Sequence, residues 1–309
     1  MNFALGAMFF GTRQDEQASF ELLDRFVDGG GTMIDTANNY AFWEHPSGRG
    51  GAAETVLGAW FAARPGVRDR VYLGTKMGAE PRVPGGYPVN REGLSATTIK
   101  AAIQGSLERL RIDRVDLYWA HMEDRSIPVD ETVGAFGELV ASGLVGRLGA
   151  SNHATWRVEQ ARAAARALGV AGYTALQLRH SYVVPRPGVV VHGHRFGSVS
   201  DETLDYAMSE HLDIWAYTTL LEGAYVRADR PLPEGYNHPG TTRRLAVLAD
   251  VATELGVTRN QVVLAWLIGG SPAITPIVRV STAAQLDEAL AGARLTLSAE
   301  QHARLDAAL

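Results

Sequence analysis

The chain has 309 residues, 46% hydrophobic and 20% charged, enough apolar material for a large core and unlike a disordered or fibrous protein. Its 29 Lys and Arg against 34 Asp and Glu give a net charge of -5, so there is no basic field for a phosphate backbone and nucleic acid is not an expected partner. No cysteine is present, which removes disulfides, thiolate nucleophiles and Cys-based metal sites and fits a reducing compartment.

The apolar stretch Phe3–Phe10 has no basic flank and meets Asp15 and Glu16, so it reads as a strand and not as a signal peptide. Strands are predicted at Ala4–Phe9, Thr32–Ile34, Val71–Thr75, Val115–Ala120, Val145–Gly149, Thr174–Leu176, Asp213–Ala216 and Ile274–Ile277. Between them Leu23, Phe26 and Val27 keep helical spacing, as do Ile99, Ile103, Leu107 and Leu110, and then Val133, Phe136 and Val140. The longest apolar window, Val262–Gly270, is well short of the ~20 residues that cross a bilayer. A cytoplasmic protein with no membrane partner is the expectation.

Strand–helix alternation repeated along one chain closes most economically as an α/β fold of the (β/α)8 TIM-barrel type, with a doubly wound open sheet as its rival. Helical patterns at Arg243–Leu255 and Asn260–Ile268, and a last one at Ala299–Ala308, are extra helices near the C-terminus. No linker divides the chain, so residues 1–309 are expected to form a single catalytic domain. The Pro/Gly-rich stretches Gly78–Gly93, Pro185–Gly197 and Pro231–Gly240 are expected as loops at the barrel mouth.

Polar residues follow the predicted strands in a consistent place: Asp35, Lys76, His121, Ser151 with Asn152, Gln177 and Tyr217, after the second to seventh strands in turn. In a parallel barrel those strand ends share one face. Lys76 closes an apolar run, so a partly solvated ammonium there wants an anion, and Asp35 is the natural candidate. The pair serves either to satisfy two inward charges or to act on Tyr40, five residues beyond Asp35. A cation about 4 Å from a phenol favours phenolate by up to ~4 kcal/mol at an effective dielectric near 20, less whatever Asp35 cancels. Tyr40 then becomes a usable acid, and His121 is either a satisfied polar group or a hydrogen-bond donor that holds a carbonyl against the phenol.

The run Gly31-Thr32-Met33-Ile34-Asp35-Thr36-Ala37-Asn38-Asn39-Tyr40, with Glu54 and Leu57-Gly58 after it, resembles the aldo-keto reductase signature. Leu73-Gly74-Thr75-Lys76, Asp116-Leu117-Tyr118 with His121, Gly149-Ala150-Ser151-Asn152 and Gln177 resemble further blocks of that superfamily, in order and over nearly the whole chain. The resemblance implies a barrel that binds NADPH without a Rossmann domain, with Asp35, Tyr40, Lys76 and His121 as the catalytic four. It implies reduction of an aldehyde or ketone to an alcohol, or the reverse, with hydride from the nicotinamide and the proton from Tyr40. By the same resemblance Ser151, Asn152 and Gln177 hold the carboxamide and Tyr217 stacks on the ring, roles that suit amides and a flat aromatic face.

Departures gather at the nucleotide's far end. Tyr217-Thr218-Thr219-Leu220 stands where the family reads Tyr-Ser-Pro-Leu, keeping a hydroxyl and losing the proline, and Gly223 follows. After the last strand Arg279 occupies the glycine position, Ser281 and Thr282 come next, Gln285 and Glu288 match, and Ala289 replaces the adenine-contacting asparagine. With Arg279 as the phosphate contact NADPH is favoured, and NADH is the alternative.

Gly48-Arg49-Gly50-Gly51-Ala52-Ala53 fits a dinucleotide fingerprint, but Trp43-Glu44-His45-Pro46 precedes it where a strand is required, so it reads as a loop entering a helix. His192 and His194 form an H-x-H pair without a third ligand, and no metal is expected. Phe42 and Trp43 either line an apolar substrate pocket or anchor a loop, with Arg179, His180 and Tyr182 as further pocket candidates. The alternatives to a reductase of small carbonyl substrates are a Schiff-base aldolase using Lys76 and a non-catalytic nicotinamide-binding barrel. Oligomeric state and physiological substrate are not legible in the residues.

Overall fold

Helix α1 (Glu16–Asp28) starts where Asp15 accepts the Ala18 N–H at 2.8 Å, and its Leu22, Leu23, Phe26 and Val27 face inward. The other helices are α2 (Ala52–Ala63), α3 (Ala96–Leu110), α4 (Val129–Ala141), α5 (Thr155–Leu168), α6 (Asp201–Ser209), α7 (Pro239–Leu255), α8 (Arg259–Gly269), α9 (Ala283–Gly292) and α10 (Ala299–Asp306). Of these, α3, α6, α8, α9 and α10 likewise start on a Ser or Thr side-chain cap, whereas α2, α4, α5 and α7 start without one. Strands β1 (Ala4–Gly6), β2 (Met33–Asp35), β3 (Tyr72–Met77), β4 (Val115–Ala120), β5 (Val145–Ser151), β6 (Tyr173–Arg179), β7 (Asp213–Tyr217) and β8 (Ile274–Val278) alternate with them. In this computed structural model, which describes residues 2–190 and 196–308, the strands form a closed barrel in the order β1 to β8. The pairings resolved between β2 and β6 and between β7 and β8 are parallel.

All eight expected strands are present, and their ends differ for identifiable reasons. β1 stops at Gly6 because the Phe10 N–H returns to the Ala7 carbonyl at 3.0 Å and the Gln14 N–H to Phe9 at 3.1 Å, so Phe9 and Phe10 are apolar for burial and not for extension. β3 continues through Lys76 to Met77, and β6 through Gln177 to Arg179, past the points where the apolar runs end. On α4 the buried face is Val133, Phe136 and Leu139, while Val140 is half-buried. The extra helices α7 and α8 lie between β7 and β8, and α10 closes at Asp306. His192 and His194 lie outside the described residues. Among the described residues, no helix is long and apolar enough to cross a membrane, and no group of three His, Asp or Glu is placed to hold a metal ion.

The chain divides into two compact units, Leu5–Gln177 and Leu178–Leu309 with Met1–Ala4. The core of the first includes Ile34, Leu57, Trp60, Leu73, Ile103, Tyr118, Trp119 and Phe136, and that of the second Ile214, Leu248, Val251, Val262, Leu264, Leu286 and Leu305.

Register decides which side chains of the first unit share a face. Lys76 pairs with Trp119, Trp119 with Gly149, and Gly149 with Ala175. Because side chains alternate with period two, Lys76, Trp119, Gly149 and Ala175 lie on one side of the sheet, joined one step further on by Ser151 and its partner Gln177. Gly74, opposite Asp35, has the same parity as Lys76. Trp119 is fully buried, and a Cβ at position 149 would sit 2.2 Å from its ring, so only glycine fits beside it.

Candidate active site

Asp35 ends β2 and Lys76 lies within β3, and both are 0% exposed. The expectation of a partly solvated Lys76 is therefore corrected: its ammonium is in the core. It donates to Asp35 Oδ2 at 2.5 Å, to the Thr36 carbonyl at 2.7 Å and to the Tyr40 hydroxyl at 2.6 Å, which accounts for all three N–H groups. Burial pushes the Lys76 pKa below the ordinary lysine range, against the opposing charges of Asp35 and Glu54. Tyr40, half-buried, donates to Asp35 Oδ2 at 3.0 Å.

These distances revise the electrostatic expectation. At an effective dielectric near 20, Lys76 at 2.6 Å favours a Tyr40 phenolate by about 6 kcal/mol, while an ionised Asp35 at 3.0 Å opposes it by about 5.5 kcal/mol. The Lys76 contribution alone exceeds the ~4 kcal/mol expected from sequence because the cation is closer, but Asp35 cancels most of it and the net is about 1 kcal/mol.

Main-chain pairing carries the Tyr40 segment onto β3. Thr36 N–H meets the Gly74 carbonyl at 2.9 Å and Asn38 N–H the Lys76 carbonyl at 3.0 Å, after which turns and a left-handed Ala41 (φ 52°) reverse the chain. Gly50 packs directly on this segment, since a Cβ there would lie 2.2 Å from the Asn38 carbonyl oxygen and 2.4 Å from Asn39 Cα. Its N–H donates to Glu80 Oε1 at 3.1 Å, and Asn38 Nδ2 donates to Glu92 Oε1 at 2.9 Å. Burial first, and then the charge of Glu92, push the Glu80 carboxyl up to about 7. Behind Lys76, buried Glu54 accepts Thr75 Oγ at 2.5 Å and pairs with Arg109 Nη2 at 2.7 Å. Residues 41–51 form turns and no strand, and Gly51 (φ 102°) opens α2, so the Gly48–Ala53 run is a loop entering a helix.

His121 follows β4, with its N–H on the Met77 carbonyl at 2.8 Å and its ring edge-on to Tyr40 at 6.0 Å between centroids. Asn152, in the left-handed region at φ 58°, donates from Nδ2 to the His121 carbonyl at 3.1 Å and to Ser151 Oγ at 3.0 Å. Gln177 Nε2 donates to Asp35 Oδ1 at 3.0 Å. The first unit thus brings together Asp35, Tyr40 and Lys76 by direct bonds, with His121 beside Tyr40, Gln177 on Asp35, and Asn152 on Ser151 and His121.

Phe42 and Trp43 belong to an aromatic group that includes two residues unsuspected from sequence. Ring centroids lie 5.1 Å apart for Phe42 and Trp43, 5.3 Å for Phe42 and Tyr87, and 6.4 Å for Phe9 and Trp43. Trp43 is 52% exposed.

In the second unit the Arg179 guanidinium lies 5.2 Å over the Tyr217 ring. The chain after β7 is left-handed at Thr218, Leu221, Glu222 and Gly223, while Leu220 is half-buried and the carbonyl of buried Thr219 accepts Ser181 Oγ at 2.5 Å. Arg279 is half-buried. Ser281 donates its N–H to Gln285 Oε1 at 2.7 Å, and Glu288 accepts from Thr258 Oγ at 2.6 Å and Asn260 Nδ2 at 3.2 Å. Tyr182 is a core group bonded to the Leu305 carbonyl at 3.1 Å, and His180, stacked on Trp266, is pushed down to about 4 by burial and the charge of Arg244.

A model of the aldo/keto reductase family matches residues 2–309. The chain is 29% identical to the uncharacterized oxidoreductase YrpG of Bacillus subtilis, over 96% of this chain and 88% of that protein. It is 31% identical to norsolorinic acid reductase stcV of Emericella nidulans, over 96% of this chain and 75% of that one. It is also 26% identical to an aryl-alcohol dehydrogenase of Pestalotiopsis microspora, over 92% and 71%. A barrel whose buried Lys–Asp pair holds a phenol, matched by this family from end to end, leads to one conclusion: the chain belongs to the aldo/keto reductase family and is an oxidoreductase that uses a nicotinamide cofactor to interconvert carbonyl and alcohol groups.

Proposed function

We propose that Tyr40 donates the proton to the carbonyl oxygen during reduction and takes it back during oxidation, with Lys76 and Asp35 setting its charge environment and His121 orienting the carbonyl. The observation that carries this reading is the shared bonding of one half-buried hydroxyl to a fully buried ammonium at 2.6 Å and a fully buried carboxylate at 3.0 Å. Held between a donor and an acceptor, the hydroxyl is placed to give its proton to a carbonyl oxygen and to take it back in the reverse direction. Lys76 suits this role better than that of a Schiff-base nucleophile, because its donors are all engaged and its amine is out of reach of solvent.

When bound, the nicotinamide supplies the hydride that reaches the carbonyl carbon. The donor set fits its carboxamide: Gln177 Nε2 is engaged by Asp35, leaving Oε1 to accept an amide N–H, while Ser151 and Asn152 bring a hydroxyl and a second amide. Tyr217 would stack on the ring, Thr218, Thr219, Leu220 and Gly223 would follow the pyrophosphate, and Arg279, Ser281, Gln285 and Glu288 would meet the far end. NADPH is proposed over NADH on the guanidinium of Arg279, to be decided by titration with each. Phe42, Trp43 and Tyr87 suit a small carbonyl compound with a planar apolar body, in keeping with the aryl-alcohol dehydrogenase among the relatives. Residues 1–309 are proposed to act as one cytoplasmic catalytic domain.

Tyr40→Phe tests the central assignment. The variant is expected to bind the cofactor with near wild-type affinity and to lose reduction of a benzaldehyde panel by about 100-fold or more, the scale of general-acid catalysis. Unchanged turnover would refute the role of Tyr40.

A further inference from the structure

We infer that Gln177 is a positioning residue for the acid group: its amide N–H fixes the one Asp35 oxygen that Lys76 and Tyr40 leave open, so that one side chain joins the cofactor's seat to the proton donor. The inference rests on the proposed roles of Tyr40 and of Gln177 toward the carboxamide. Oδ2 of Asp35 takes both Lys76 Nζ and Tyr40 OH, whereas Oδ1 takes Gln177 Nε2 at 3.0 Å, across 142 positions of sequence. Among the described residues Gln177 is the only donor to Oδ1, and the neighbour of Asp35 on β3 is Gly74, which has no side chain to offer. Asp35 is 0% exposed and Gln177 is buried, so water does not replace a lost bond cheaply.

An amide has two ends with opposite roles. Nε2 is committed to Asp35, which orients Oε1 as an acceptor, and a carboxamide bonded to Oε1 limits the rotation of the whole side chain. Seating the cofactor then tightens the Asp35 carboxylate and, through Oδ2, the Lys76 and Tyr40 pair that depends on it. The charged and titratable groups around this carboxylate are Lys76 on β3 and Tyr40 on the loop after β2, with His121 after β4 against the Tyr40 ring and, beyond Lys76, Glu54 of α2 paired with Arg109 of α3.

The test places Gln177→Met, similar in length and without hydrogen-bonding groups, in the wild-type and Asp35→Asn backgrounds. Three quantities are read: kcat at saturating NADPH or NADH, cofactor affinity from nucleotide fluorescence without substrate, and melting of the cofactor-free protein. In the wild-type background kcat is expected to fall at least tenfold even at saturation, the scale of one hydrogen bond to a charged acceptor. In the Asp35→Asn background the further fall is expected to be under threefold, and the loss of melting temperature in the cofactor-free protein under half as large. Recovery of wild-type kcat at saturating cofactor, or equal losses in both backgrounds, would overturn the inference and leave Gln177 a simple contact. Should Gln177→Met not fold, Gln177→Asn, which retracts the amide by one methylene, gives the same comparison. Failure of the Tyr40 assignment is separately visible in Tyr40→Phe, while the melting comparison without cofactor still reads the Gln177–Asp35 bond.

Discussion

Replacing Asp35 by asparagine removes the charge partner of a lysine that has no access to water. Across 2.5 Å, at an effective dielectric near 20, the attraction lost is about 7 kcal/mol. The Thr36 carbonyl and the Tyr40 hydroxyl still accept from Nζ, and breaking a buried pair on one side usually costs about 3–5 kcal/mol. With an unfolding entropy of roughly 0.65 kcal/mol/K for a chain of this length, melting is expected to drop by about 5–8 °C at pH 7. The deficit is also expected to depend on pH with a definite sign. Burial already depresses the Lys76 pKa below its ordinary 10.5, and removing Asp35 depresses it further. Between the depressed folded value and 10.5 the unfolded chain binds the proton that the folded chain has released, so stability rises with pH there. The gap between Asp35→Asn and wild type should therefore narrow from pH 7 to pH 9.5. Melting followed by circular dichroism at both pH values decides it: a gap under 1 °C at pH 7, or one that widens toward pH 9.5, refutes the account of Lys76 as a buried cation held by Asp35.

Gly50→Ala pushes a methyl group into the main chain at Asn38 and Asn39, an overpacking of about 1–3 kcal/mol; at least a tenfold fall in kcat with cofactor affinity retained is expected, and unaltered kcat would show that Tyr40 tolerates movement of its loop. Glu80, raised to about 7, contributes stability that is complete below the ordinary 4.5 and lost as pH climbs through about 7. Melting of Glu80→Gln is accordingly expected to fall less than wild type between pH 5 and pH 7.5, and parallel curves would remove Glu80 as the cause.

The alternation of strands and helices and the residues at strand ends were legible because each rests on local signals: apolar period, β-branched runs, and a polar residue where such a run ends. Those same signals misplaced Lys76, since a charged side chain ends an apolar run whether or not the backbone pairing continues, and here it continues to Met77. They could not show that Gln177 reaches Asp35, because that bond depends on the register of β5 with β6 and on closure across intervening strands. Tyr87 joined Phe42 through the fold of a Pro/Gly-rich loop, for which spacing carries no information. Glu54, known beforehand only as part of a resemblance, acquired its partners Thr75 and Arg109 from the packing of α2 against its neighbours.

The indole of Trp119 stands where a side chain on residue 149 would have to be. Volume at those two sites is therefore coupled: a larger group at 149 is admissible only with a smaller one at 119. A library that randomises 149 by itself should return mostly destabilised chains, and one that varies 119 with it should recover those in which the indole is replaced by a smaller group.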